Sequence, residues 1–428
     1  MVTTEYVPVH NRFASLDGVL RRASSGRPRT VVVETHPRRD SVSNLSAWPM
    51  DALPSRGIDT FAYNNRYANS AAGIDVSTLW EPLALDVAAA VQEMRERGYE
   101  RVVLYGTSAG GPLVAFYQAV AEQGNALFEP ERALSGFVGY TTPDGAELRL
   151  PRADGVVLQN ATSGPASSFL MRLDGSVVDE RDVVRDPALD MFAPENGFDP
   201  LTGTGHYDAD FLTRYTRAQS ERMNRLVRTA QELLDRMRRT GRPYLDDAFL
   251  VIPGVRAFPA HVDLTLADRT RGTWPTTEGP DRVVRSTRAV VPDASADNRR
   301  RMPGTAVHTL TSFLSYRAVL CEPATYDPFA TEVGDSGVHD WSSNTSTTRN
   351  VARVSVPLLI TVGTSDLEVH LPVGELIHNA ATSRDKELVI VDRADHAMTR
   401  PAPPGGPDPA RAAHLDAVAA WVEDRFGR

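Results

Sequence analysis

The chain has 428 residues and a mass of 46.7 kDa, enough for two or three domain-sized units or for one α/β domain with a large insertion. Its 41% hydrophobic and 24% charged residues argue against disordered, collagen-like and coiled-coil chains. A net charge of −9, a pI near 5.6 and no long basic run argue against nucleic acid or an anionic membrane as a partner. Among the 46 basic residues only Lys386 is a lysine, a bias that codon usage in a GC-rich bacterial genome accounts for. The single cysteine, Cys321, rules out an intrachain disulfide and a multi-cysteine zinc site, and it reads as a small buried hydrophobe. Residues 1–15 lack the apolar stretch of a signal peptide, and the run Val356 to Val362 is too short to span a bilayer. The expectation is a cytoplasmic protein.

In chain order, Arg29 to Thr35 and Ile58 to Tyr63 are apolar, β-branched runs bounded by turn residues, which predicts buried parallel strands. Thr78 and Glu81 have capping-box spacing, and Leu83, Val87, Val91 and Met94 then recur at helical period up to Gly98. A third strand, Arg101 to Tyr105, is followed by a helix from Gly110 to about Glu122. A hairpin is expected around Thr142-Pro-Asp-Gly145, and another strand at Gly155 to Gln159. Strand and helix alternating in this way predict a doubly wound α/β sheet.

The alternation stops between Gly164 and Val351. One long amphipathic helix is expected there from about Asp210 to Arg239, ending at Gly241, with a second helical stretch over Ala306 to Leu320. It resumes with a strand at Val356 to Val362, a helix near Pro372 to Ala381, a strand at Glu387 to Val391 and a closing helix from about Ala410 to Phe426. This divides the chain into a core formed by 1–164 and 351–428, and a domain-sized insertion at 165–350.

Gly106-Thr107-Ser108-Ala109-Gly110 matches G-x-S-x-G. A chain of this length meets the pattern by chance only ~0.1–0.2 times, and here it lies between a predicted strand and a predicted helix, where a nucleophile elbow requires it. Small residues two before and two after the serine let strand and helix approach, while the helix N-terminus favours developing negative charge. The spacing is not that of a dinucleotide-binding turn, and no phosphate-binding G-x-x-x-x-G-K-[ST] loop exists. The ten histidines show no H-x-H or H-E-x-x-H spacing, so neither a metal nor any other cofactor is expected.

The elbow, the long insertion, the acid in Val362-Gly-Thr-Ser-Asp366 after a late strand and the histidine in Asp392-Arg-Ala-Asp-His396 after the last strand together resemble the α/β-hydrolase fold superfamily. The resemblance covers roughly residues 30–164 and 353–428. It implies an α/β-hydrolase fold, a mostly parallel doubly wound sheet with the insertion as a helical and loop lid. It also implies a triad of Ser108, Asp366 and His396, with Glu368 and Asp395 as rival acids. Backbone N–H groups of an oxyanion hole would come from Ala109 and from the loop after the Val31 to Thr35 strand. Many members carry His-Gly in that loop; this chain has His36-Pro37-Arg38, and because proline has no N–H the second donor by position is Arg38. The departure argues against the His-Gly-Gly-Gly lipase branch. Arg38 and Arg39 read first as a solvated pair and second as a carboxylate site.

The expected activity is serine hydrolysis of a carboxylic ester of a moderate-sized small molecule held under the lid. Hydrolysis of a carbon–carbon bond in a β-diketone or ring-cleavage product, acyl transfer, and a non-catalytic binding protein are the alternatives. Trp274, Phe258, Trp341 and Arg299 to Arg301 are candidate pocket residues, with a core or surface role as the simpler reading of each.

Overall fold

The computed structural model describes residues 2–23, 29–37, 41–42, 52–68, 76–201, 204–240, 248–255, 304–400 and 408–427. Eight strands form one sheet: β1 (Thr3–His10), β2 (Ser15–Arg22), β3 (Thr30–Thr35), β4 (Asp59–Asn64), β5 (Arg101–Thr107), β6 (Gly155–Gln159), β7 (Leu358–Gly363) and β8 (Lys386–Val391). Their spatial order is β1-β2-β4-β3-β5-β6-β7-β8. β2 runs antiparallel to both β1 and β4, and every other neighbouring pair is parallel. This is the α/β-hydrolase arrangement that the sequence resemblance implies.

The two-residue period of the strands sorts their side chains into two layers. Val31, Val33, Val102, Leu104, Leu358 and Ile360 pack under α1 (Leu83–Glu96), α2 (Gly110–Gln123) and the later helix Leu371–Ala380. Val32, Val103, Tyr105, Val157 and Leu359 face the opposite way, onto Val418, Trp421, Val422 and Phe426 of the closing helix Pro409–Phe426. Continuous apolar runs are what strands covered on both faces require.

The structure departs from the sequence reading at four places. The first is the N-terminal hairpin β1–β2, which the sequence reading passed over. Its buried Val7 and Val9 alternate with exposed Tyr6, Pro8 and His10, the pattern of a half-solvated edge strand. The second is the capping box at Thr78 and Glu81. Pro82 takes the N-cap position of α1 and makes no side-chain cap, while the Glu81 carboxylate accepts from Ser315 Oγ and Asn344 Nδ2 in the insertion. The third is the helix over Ala306 to Leu320. Gly304–Thr309 is a strand paired with Phe249–Val255, and only then does the chain turn through Leu310–Ser312 into a π-helical turn at Phe313–Arg317. Around Thr142 there is a tight turn closed by Gly145 N–H to Thr142 O, with a single bridge between Thr141 and Glu147 in place of a full hairpin.

Within the insertion, α3 (Pro165–Arg172) and α4 (Ala209–Arg239) pack with the paired strands around their own apolar cluster, including Phe169, Leu170, Met223, Leu226, Val227, Ile252, Leu310 and Phe313. Asp208 caps α4 by accepting from Phe211 N–H, and Gly241, the expected stop, lies outside the described residues. Cys321 is buried in this cluster, where loss of solvent pushes its thiol well above the usual range. Among the described residues no helix is long and apolar enough to cross a membrane.

Candidate active site

Ser108 follows β5 directly and has φ = 52°, a left-handed conformation that costs a non-glycine residue of order 1 kcal/mol. The turn is locked by backbone bonds: Ser108 N–H to Gln159 O (2.9 Å), Gly111 N–H to Ser108 O (3.2 Å) and Thr162 N–H to Ser108 O (3.3 Å). The two flanking glycines have steric reasons. A Cβ on Gly106 would lie 2.3 Å from Gly110 O, and one on Gly110 would lie 2.3 Å from Thr35 O. Both are close backbone approaches that only glycine permits. The Ala109 N–H, at the start of α2, has no acceptor among the described residues.

Asp366 lies in the loop after β7 and is 1% exposed. One carboxylate oxygen accepts from Glu368 N–H (2.7 Å) and Val369 N–H (3.0 Å), and the other lies 2.7 Å from His396 Nδ1. Three bonds fix the carboxylate, and the Nδ1 contact fixes the neutral tautomer whose free lone pair is on Nε2. Asp395 is turned away, its carboxylate occupied by Ala397 N–H, Thr399 N–H and Thr399 Oγ. Glu368 sits on the opposite side of the ring from Asp366, its Oε2 3.7 Å from Nε2 and 3.7 Å from Arg172 Nη2 at the end of α3. Burial by itself would lower the proton affinity of His396. The charge and hydrogen bond of Asp366, followed by the charge of Glu368, outweigh that and raise its pKa to about 9.

Asn160, which the sequence reading did not single out, holds these loops together. It directly follows β6, is fully buried and has φ = 41°. Its Nδ2 donates to Asp395 O (3.1 Å) and His396 O (2.9 Å), and its Oδ1 accepts from Gly363 N–H (2.9 Å) at the end of the acid-bearing strand. Its neighbour Gln159 accepts the Ser108 N–H. Residues 159 and 160 therefore tie the Ser108, Asp366 and His396 loops to one edge of the sheet. No sequence signal marked this asparagine, because an Asn after a strand reads as an ordinary turn residue.

His370, two residues beyond Glu368, is fully buried and stacked on Phe329 at 5.4 Å. Neither ring nitrogen has a hydrogen-bond partner among the described residues. Burial lowers its pKa to about 4, against the pull of the Asp366 charge. Ser108 Oγ makes no hydrogen bond to His396 among the described residues, and such contacts are often loose without substrate. A groove of about 780 Å³ between α4 and residues 130–137 is separate, since its lining includes none of Ser108, Asp366 and His396. Arg38, Phe258, Trp274 and Arg299 to Arg301 lie outside the described residues, and Trp341 stacks on His339 and lies under Arg132. Among the described residues no group of three His, Cys, Asp or Glu is arranged to hold a metal ion.

No family model matches the chain, and no curated protein matches it in sequence. Solved structures align along nearly its whole length at low identity. A hypothetical protein of Pseudomonas aeruginosa is 15% identical, with 99% of this chain and 94% of that one covered and a TM-score of 0.43. The esterase domain of a Rhodothermus marinus protein is 13% identical, with 99% and 98% covered and a TM-score of 0.40. A soluble variant of monoglyceride lipase from Saccharomyces cerevisiae, in complex with a substrate analog, is 12% identical, with 98% and 94% covered and a TM-score of 0.43. Likenesses this distant carry no activity across, and the fold assignment rests on the strand order.

Proposed function

We propose that the chain is a serine hydrolase acting on a carboxylic ester of a moderate-sized small molecule, with Ser108 as nucleophile, His396 as base and Asp366 as the acid that orients it. The observation that carries this reading is the conjunction of a serine held left-handed on a glycine-flanked elbow with a buried carboxylate 2.7 Å from His396 Nδ1 at the same sheet edge. A serine hydroxyl is a weak nucleophile until an imidazole takes its proton. In its deprotonated form His396, pinned through Nδ1, would take that proton at Nε2 as Ser108 Oγ bonds to the acyl carbon. The oxyanion would be stabilised by the Ala109 N–H, by the N-terminus of α2 and by a donor from the loop after β3, for which Arg38 remains the proposal. Collapse of the tetrahedral species breaks the bond to the alcohol oxygen, which receives the proton from Nε2. Water, deprotonated by His396, then cleaves the acyl-serine ester and frees the carboxylic acid.

The insertion serves in this reading as the lid, because Arg172 of α3 reaches within ion-pair distance of the loop that carries the acid. A fluorophosphonate probe should label the protein once, at Ser108, and p-nitrophenyl esters of graded acyl length should be hydrolysed. Ser108→Ala should abolish both. Labelling at a different serine would overturn the assignment of Ser108, and neither labelling nor turnover of any ester would favour a binding role. His396→Ala should lower kcat by about 10³-fold or more with the fold retained.

A further inference from the structure

We infer that Glu368, steadied by Arg172 of the insertion, is a positioning residue that sets the proton affinity of His396 and so couples the insertion to the base. The inference deepens the hydrolase reading and rests on His396 being its base. Three observations point to it. Glu368 Oε2 faces Nε2, the nitrogen that must exchange the proton, at 3.7 Å. Arg172 Nη2 lies 3.7 Å from the same oxygen, so the insertion's first helix holds the carboxylate in place. The Glu368 backbone is pinned by its N–H bond to Asp366 Oδ1, so the carboxylate can leave Nε2 only by rotating its side chain. The glutamate is therefore placed as a second anion on the ring, on the side away from Asp366.

Among the described residues the charged groups around His396 are few. Asp366 lies at Nδ1, Glu368 at Nε2, and Arg172 behind Glu368. Asp395 is consumed within its own loop, and Arg393 pairs with Asp392 at 3.4 Å. The buried His370 feels Asp366 but stays neutral. With carboxylates on both sides the imidazole keeps its proton through neutral pH, and the positive charge of Arg172, behind Glu368, opposes this directly. An occupant that swings Glu368 off Nε2 would release the base, which makes the site's readiness depend on where α3 and its arginine lie.

The test is a pH titration of His396 read in two ways. In protein carrying ¹³C-labelled histidine and Ser108→Ala, the His396 ring signal, assigned by its loss in His396→Ala, reports the proton directly and needs no activity. In the active protein, the acid limb of kcat/KM for a p-nitrophenyl ester reports the same group. Glu368→Gln should lower both midpoints by about one pH unit, since an anion about 4 Å from a titrating group is removed. Arg172→Gln should raise them, and Arg172→Lys should restore the wild-type value. Midpoints that do not move, or that move in the same direction for both variants, would overturn the inference. Should Glu368→Gln fail to fold, the opposed Arg172→Gln and Arg172→Lys pair decides the matter alone. A ring signal that shifts as expected, together with no turnover of any ester by the protein that retains Ser108, would defeat the hydrolase reading while leaving the effect of Glu368 on the His396 proton standing.

Discussion

At Ser108 the backbone is held in a conformation that only glycine adopts without cost. Removing the hydroxyl therefore has two separable outcomes. Ser108→Gly should lose fluorophosphonate labelling yet be more stable in urea than Ser108→Ala by about 1 kcal/mol, because only glycine relieves the left-handed strain. Equal stabilities would mean that the turn is unstrained in solution. Gly110→Ala tests the neighbouring constraint. Its Cβ would lie 2.3 Å from the Thr35 carbonyl, a backbone atom that cannot rotate away, so a loss of roughly 1–3 kcal/mol is expected on denaturant melts. The same displacement would move the end of β3, which leads into the proposed oxyanion loop.

Among the elements, strand β6 matters more for its last contacts than for its core residues. Asn160→Ala would strand the Gly363 N–H and release the carbonyls of Asp395 and His396 in one step. We expect kcat to fall by about 10–100-fold with KM nearly unchanged, the signature of misplaced reacting groups, while Asn160→Asp recovers only the Gly363 bond. A parallel change in KM alone would argue for a substrate-binding role instead. Glu81 makes a comparable point for the seam between core and insertion. A lost helix cap costs about 1 kcal/mol, whereas Glu81→Ala leaves the buried Ser315 hydroxyl without its acceptor and takes from Asn344 Nδ2 one of its two, the other being Ser135 Oγ, and should cost about 2–4 kcal/mol in a denaturant titration. The capping-box spacing at Thr78 was a local signal overridden by a partner 234 residues away.

For the whole molecule, two buried imidazoles and the partly buried His396 shape the pH dependence of stability. His370 and His414 have folded pKa values lowered by burial to about 4 and about 3, below the ordinary value near 6.5. The unfolded chain binds their protons first, so their contribution is present above about 6.5 and is lost as pH falls through the folded values. His396, raised to about 9, has the opposite sign: its contribution is complete below about 6.5 and is lost as pH rises through about 9. Thermal melts across pH should thus give a dome falling on both sides, and His396→Ala should flatten the alkaline side only. A flattened acid side in that variant would contradict the assignment of the two limbs.

Legibility followed the range of the interaction. β3 to β8, helices α1 and α2, the long insertion helix and the Gly106–Gly110 elbow were readable because their signals are local: β-branched runs, a 3.6-residue apolar period, and glycines forced by a close approach. The places of Ser108, Asp366 and His396, each beyond the end of its own strand, were readable too, while their roles remain part of the proposed function. What the residues could not announce is which loops meet. Asn160 gains its role only when β6 settles between β5 and β7, and Glu368 faces Nε2, away from the Nδ1 position of a rival acid, only because Asp366 has already taken Nδ1. Ala306 to Thr309, expected as the start of a helix, instead ends the strand Gly304–Thr309 because Phe249–Val255 offers it a partner. Hydrogen bonds between segments far apart in the chain depend on the sheet being assembled, and no local pattern of residues encodes them.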